Sequence, residues 1–215
     1  GDTTGPISAE YILKDPTVEF AVLETARGGI LRSGLGFSRC DIAIITNIQE
    51  DHLGLADIHT LDDLARVKAT VVRSVKKDGW AILNAEDEQC LKIANELSCN
   101  IAYFSMDENN PKVQQFAKEG KVVAVYENGY ITIKKGEWKI RVERATHVPL
   151  TLGGKAKFMI ANALAATLAA YLQGFKTEDI SLSLQTFIPS AAQTPGRMNI
   201  FDFKKFKVLI DFAHN

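Results

Sequence analysis

The apolar run Ile42-Ala43-Ile44-Ile45 stops at the polar segment Thr46-Asn47-Ile48-Gln49-Glu50-Asp51-His52-Leu53-Gly54, and a helical pattern follows. Residues 60–75 carry apolar side chains at helical spacing: Leu61, Leu64, Ala65, Val67, Val71 and Val72. Thr60 stands where an N-cap belongs, with Asp62 and Asp63 in the first turn, where the helix dipole favours acids. A buried strand, a loop bearing a carboxylate and an imidazole, and a helix make one unit of an open α/β sheet. Ligands of such sheets bind at the carboxyl ends of the strands, so this loop is where chemistry is expected.

The same alternation recurs along the chain. Residues 18–23 read as a buried strand, 41–46 as a second and 80–83 as a third; 87–97 read as a helix and 101–104 as a fourth strand. This predicts an α/β fold with a mostly parallel sheet flanked by helices. The character then changes. Residues 122–126, the turn Glu127-Asn128-Gly129, residues 130–133, the turn Lys135-Gly136-Glu137 and residues 138–142 predict a small antiparallel β-meander, Asn-Gly being a strong hairpin signal. A helix at about 157–172 is rich in alanine and must pack closely against something. A short helix at 177–184, a linker at 187–196 with Pro189 and Pro195, and a strand opening at 207–212 complete the pattern.

With 215 residues and a net charge of −1, the chain is long enough for one large domain, or one domain plus a fragment. The near-neutral balance gives no support for a nucleic-acid or membrane surface. No apolar run is long enough to span a bilayer, and no signal peptide is expected. Cys40, Cys90 and Cys99 have no metal or redox spacing and read as reduced thiols of a cytoplasmic protein.

Several side chains admit two readings on residue type alone. Glu24 ends the first apolar run, where an acid is costly unless paired or metal-bound. His52 is a core or capping histidine, or a ligand whose ring Asp51 orients; Asn47 lines the same crevice. Lys68 reads as a solvated helix residue, Asn162 as an exposed helical amide and Arg197 as a loop cation. Arg27 and Arg32 are surface arginines, or forks for a carboxylate.

The segments Thr46–Gly54, Thr60-Leu61-Asp62-Asp63-Leu64-Ala65-Arg66-Val67-Lys68-Ala69 and Glu24-Thr25-Ala26-Arg27-Gly28-Gly29-Ile30-Leu31-Arg32 together resemble the Mur-type ATP-dependent amide ligases. The resemblance runs from Gly1 to Asn215 and implies a P-loop NTPase-like central domain over 1–196 and the first strand of a C-terminal domain over 197–215. It implies ATP and Mg2+, with Glu24 and His52 as magnesium ligands and Lys68 joining them if carbamylated. Asn162, opening Asn-x-Leu-Ala-Ala, is implied at the adenine. The pair usually found upstream of it, His-Asn, is replaced by Lys157-Phe158. Pro195-Gly196-Arg197-Met198 matches a hinge whose arginine reaches phosphate, and Asp211-Phe212-Ala213-His214 matches a motif whose Asp binds ribose. Thr3 and Thr4 resemble a pair that meets the acceptor carboxylate; Arg27 and His214 complete the implied substrate set.

Within the family the wording is most like the branch that joins arginine to the side-chain carboxyls of an aspartate polymer. The implied partners are a small amino acid and a polymer primer, with a homo-oligomer possible in the longer parent. A peptidoglycan-precursor or folate-type ligase and a non-catalytic domain of the same fold are the alternatives; the run from Glu24 to Gly29 argues against the first. The phosphate-cradling Gly-x-x-Gly-Lys-Thr of such ligases does not occur here. Gly153-Gly154-Lys155 lacks its spacing. The loop is expected upstream of Gly1, so the chain is expected to be a fragment that is inactive by itself.

Overall fold

A computed structural model of the chain describes residues 4–50, 54 and 58–212. In chain order the elements are α1 (Pro6–Lys14), α2 (Arg27–Ser33), β1 (Cys40–Ile45), α3 (Leu61–Arg73), β2 (Val75–Asn84), α4 (Glu88–Ala94), β3 (Asn100–Ser105), α5 (Pro111–Lys118) and β4 (Val123–Glu127). There follow β5 (Tyr130–Lys135), β6 (Trp138–Arg144), α6 (Lys157–Leu172), α7 (Thr177–Thr186), β7 (Asn199–Phe203) and β8 (Phe206–Ile210).

Strands β1 to β6 form one sheet in sequence order. The first four are parallel, and β5 and β6 continue it antiparallel. The meander is therefore not a separate layer: β4 pairs with β3 on one side and with β5 on the other. Alternate residues of each strand face opposite layers. Ala43, Ile45, Leu83, Tyr103 and Val125 pack under α3, α4 and α5. Ile82, Phe104, Ala124, Ile131 and Ile133 pack under α6 and α7. Both faces are covered, which is why the central strands read as nearly unbroken apolar runs. Ala163 and Ala165 are buried and let α6 lie close to the sheet. Gly79 serves the same end between strands, because a Cβ there would overlap the carbonyl oxygen of Asp41, where the β1–β2 register shifts.

The first expected strand needs correction. Residues 18–23 form no strand: Phe20 is 58% exposed and Val22 87%. A strand needs a ladder partner, and among the described residues β1 is the sheet's edge, with nothing paired beyond it. Glu24 accordingly ends no buried strand and is exposed. At the other end of the chain, the strand expected at 207–212 is β8, and it forms a hairpin with β7 that lies outside the six-stranded sheet.

Candidate active site at the strand ends

The loop leaving β1 is tied to the loop leaving β2 at two points. Asn84 Nδ2 donates to the Thr46 carbonyl at 3.0 Å, and Asp87 Oδ2 accepts from Ile48 N at 2.5 Å. Asp87 also caps α4 through Oδ1, which accepts from Gln89 N at 2.9 Å and Cys90 N at 3.0 Å. The entry to α3 is fixed by a capping box. Asp63 N donates to Thr60 Oγ1 at 3.1 Å, while Thr60 N donates back to Asp63 Oδ2 at 3.0 Å. Hydrogen bonds from Thr60 hold the Asp63 carboxyl down to about 2. From α3, Lys68 Nζ reaches the Asn47 carbonyl at 3.3 Å. Asn47 and Lys68 are thus brought together at the end of β1.

Beside this crevice, a cleft of about 400 Å³ lies between the ends of β2 and β3 and the first turns of α6. Asn84, Glu86, Phe104, Met106, Lys157, Phe158 and Ala161 line it. Ser105 Oγ, at 2.8 Å, and Met106 N both donate to Glu86 Oε1. Phe158 is 54% exposed and presents its ring to the cleft. Asn162 follows Ala161 by one residue and is exposed, its amide 3.9 Å from Met159 Sδ. Sequence reading missed Asn84 and Glu86. The signal was the polar tip Asn84-Ala85-Glu86-Asp87 on an apolar strand. Gly153 and Gly154, both in left-handed conformation, belong to a turn that delivers the chain to α6.

The predicted substrate residues lie on another flank. A Cβ on Gly29 would lie 3.5 Å from Gly5 Cα and 3.6 Å from the Thr4 carbonyl. The entry to α1 therefore sits on the first turn of α2, which brings Thr4 near Arg27. Helix α2 packs in turn on α3, the helix that carries Lys68. The Arg32 guanidinium folds back over Gly28. Among the described residues no three His, Cys, Asp or Glu come together in a way that suits a metal ion. Thr3, Asp51, His52 and His214 lie outside the described residues. The cysteines are free, and burial pushes the Cys90 thiol up to about 12.

Near the C-terminus, two motifs far apart in sequence form one turn. Phe212 N donates to the Gly196 carbonyl at 2.9 Å, Asp211 Oδ1 accepts from Met198 N at 2.9 Å, and the Arg197 guanidinium lies 5.1 Å from the centre of the Phe212 ring. Asn199, 4% exposed, locks the turn by accepting from Gly196 N and donating to the Thr194 and Arg197 carbonyls.

Comparison with known proteins agrees with this architecture. Residues 3–170 match the family model described as Mur ligase middle domain. Cyanophycin synthetase of Geminocystis herdmanii is 54% identical over all 215 residues of this chain, which cover 25% of that protein. UDP-N-acetylmuramate–L-alanine ligase of Acetivibrio thermocellus is 27% identical over 81% of this chain and 34% of its own length. Among solved structures, a UDP-N-acetylmuramoyl-L-alanyl-D-glutamate–2,6-diaminopimelate ligase superposes with a TM-score of 0.60, at 22% identity, over 91% of this chain and 37% of that one. The chain spans about a quarter of the length of the cyanophycin synthetases it matches, and it belongs to the Mur ligase middle domain family.

Proposed function

We propose that the chain is the ATP-dependent ligase part of a cyanophycin synthetase, joining the amine of arginine to the side-chain carboxyl of an aspartate polymer. The observation that carries this reading is the 54% identity over the whole chain, against 27% to a muramate ligase. In the proposed reaction a carboxylate oxygen attacks the γ-phosphorus of ATP and ADP leaves. The amine then attacks the acyl carbon of the resulting acyl phosphate, loses a proton, and phosphate departs. Catalysis of this kind is mostly positioning and charge stabilisation.

The cleft beside α6 suits a nucleobase, with Phe158 as an apolar wall, Asn162 next to it and Asn84 as a polar floor. We assign adenine to Asn162, phosphate to Arg197 and ribose to Asp211. The acceptor is assigned to Thr3, Thr4, Arg27 and His214. Magnesium is assigned to Glu24 and His52, the latter outside the described residues. Glu24 is exposed, and Lys68 donates to Asn47 rather than offering an anion. Lys68 would join Glu24 and His52 as a ligand only once it carries a carbamate, and no step is routed through the metal. Residues 1–196 are taken as the central domain and 197–215 as the start of another, and the site as cytoplasmic. No described helix is long and apolar enough to cross a membrane. Alone, the 215 residues are expected to bind Mg-ATP weakly, since no Gly-x-x-Gly-Lys-Thr run is among them. Micromolar affinity in a titration would overturn that.

The test is phosphate release from ATP by the full-length gene product, with an aspartate-rich primer and each amino acid in turn. Arginine-dependent release is expected. Release only with another amine would keep the ligase reading and remove the polymer assignment.

A further inference from the structure

At the far edge of the sheet from Lys68, Arg141 and Arg144 of β6 both lie against Tyr130 of β5. Each guanidinium carbon is 5.0 Å from the ring centre, and Arg144 Nη2 donates to Tyr130 Oη at 2.7 Å. The ladder sets this up: Tyr130 is opposite Arg144 and Thr132 is opposite Arg141, so the three side chains share one face. Two exposed guanidiniums on one ring make a local cationic patch, and the nearby carboxylates are already taken. Glu127 is bound by Lys134 at 2.7 Å and Lys139 at 3.1 Å. Glu143 is bound by Ser181, Gln185 and His147. Neither guanidinium has a carboxylate partner among the described residues, and both residues are exposed.

Position supplies the ligand. Tyr130 is opposite Glu127, the last residue of β4, so this pair sits at the same end of the sheet as Asn47, Asn84 and Glu86. The pair also shares the sheet face covered by α3, the helix of Lys68. Five strand spacings separate β1 from β6, about 24 Å, which an extended peptide covers in roughly seven residues.

We infer that Arg141 and Arg144, stacked on Tyr130, anchor a carboxylate of an aspartate-rich chain whose reacting end lies at Lys68. This rests on the proposed function, from which the acceptor is taken. Two forks on a rigid aromatic ring suit planar, bidentate carboxylate recognition. Glu86, Asp107 and Glu108 lie on the rim between the two places. They repel such a chain, so it is held at its ends rather than along its length.

The test measures binding of a labelled aspartate trimer and an aspartate decamer to the full chain and to its Arg141→Gln/Arg144→Gln form. Loss of at least about tenfold in decamer affinity, with trimer affinity unchanged, is expected from removing two charge-assisted forks. Equal decamer affinity in both proteins overturns the inference. So does equal loss for both lengths, which would mark a general disturbance of charge or fold. Binding needs no ATP and no turnover. Absence of ligation on aspartate primers would therefore count against the proposed function while leaving this result readable.

Discussion

The Phe212 ring lies where a side chain on residue 196 would have to go. A Cβ on Gly196 would come within 2.8 Å of it, and the Gly196 carbonyl accepts the Phe212 amide. Gly196 also has a φ of +71°, which costs a non-glycine residue about 1 kcal/mol. Gly196→Ala should therefore open the turn that joins residues 194–199 to 211–212. Faster amide exchange is expected there, with protection of β1 to β4 unchanged. Unaltered exchange in the turn would mean that the ring simply moves aside.

The same turn bears on nucleotide binding. Asp211, assigned to ribose, already holds Met198 N, so its carboxylate is oriented by the fold before any ligand arrives. Asp211→Ala in the full-length gene product should raise the Michaelis constant for ATP about tenfold, the loss of one charged hydrogen bond. An unchanged constant would reduce Asp211 to a structural acceptor.

Acid should weaken the junction between β6 and α7. Burial pushes the Glu143 carboxyl up, but donors from Gln185, Ser181, Arg144 N and His147 outweigh it and hold it below the usual 4.5. The folded-state value is depressed, so the stabilisation is complete above the unfolded value and is lost as pH falls through the folded one. Urea unfolding at pH 7 and at successively lower pH should show stability falling below about pH 5. Glu143→Gln should flatten that slope. Equal slopes would place the acid sensitivity elsewhere, Glu127 with its two lysines being the next group to change.

Thr132 offers the opposite kind of change. It is fully buried, and its hydroxyl finds no partner among the described residues. A buried hydroxyl without a partner costs about 1–3 kcal/mol. Thr132→Val, close in shape, should therefore raise the urea midpoint with the slope unchanged. A lower midpoint would show that the hydroxyl is satisfied, for instance by water.

Local rules made parts of this fold readable. The bounds of α6 follow from an unbroken apolar and alanine pattern, and the start of α3 follows from Thr60 and Asp63, whose capping box is a matter of neighbouring residues. Where no distant partner was present, one reading failed. Residues 18–23 have the composition of a buried strand, yet a strand exists only if another offers its N–H and C=O groups. The cleft was poorly legible. Lys157 and Phe158 looked like departures from a pattern and line it all the same. The turn joining Gly196 to Phe212 was visible as two motifs, but not as one structure, because Asn199 carries no sequence signal of its own.

Lys68 is the residue on which the proposed chemistry is most exposed to test. Its ammonium donates to the Asn47 carbonyl in the structure, a contact any cation of similar reach can make. A carbamate, by contrast, can form only on lysine. In the full-length gene product, Lys68→Met should remove both functions and lower turnover by at least about 100-fold, the scale for losing one transition-state charge partner. Lys68→Arg separates the two: it keeps a cation near Asn47 and, with guanidinium always protonated, forms no carbamate. Equal loss in both variants, with circular dichroism unchanged, is the outcome expected if Lys68 acts as an anion beside Glu24 and His52. Near-normal turnover in Lys68→Arg would overturn the carbamate and leave Lys68 acting as the cation that the structure displays.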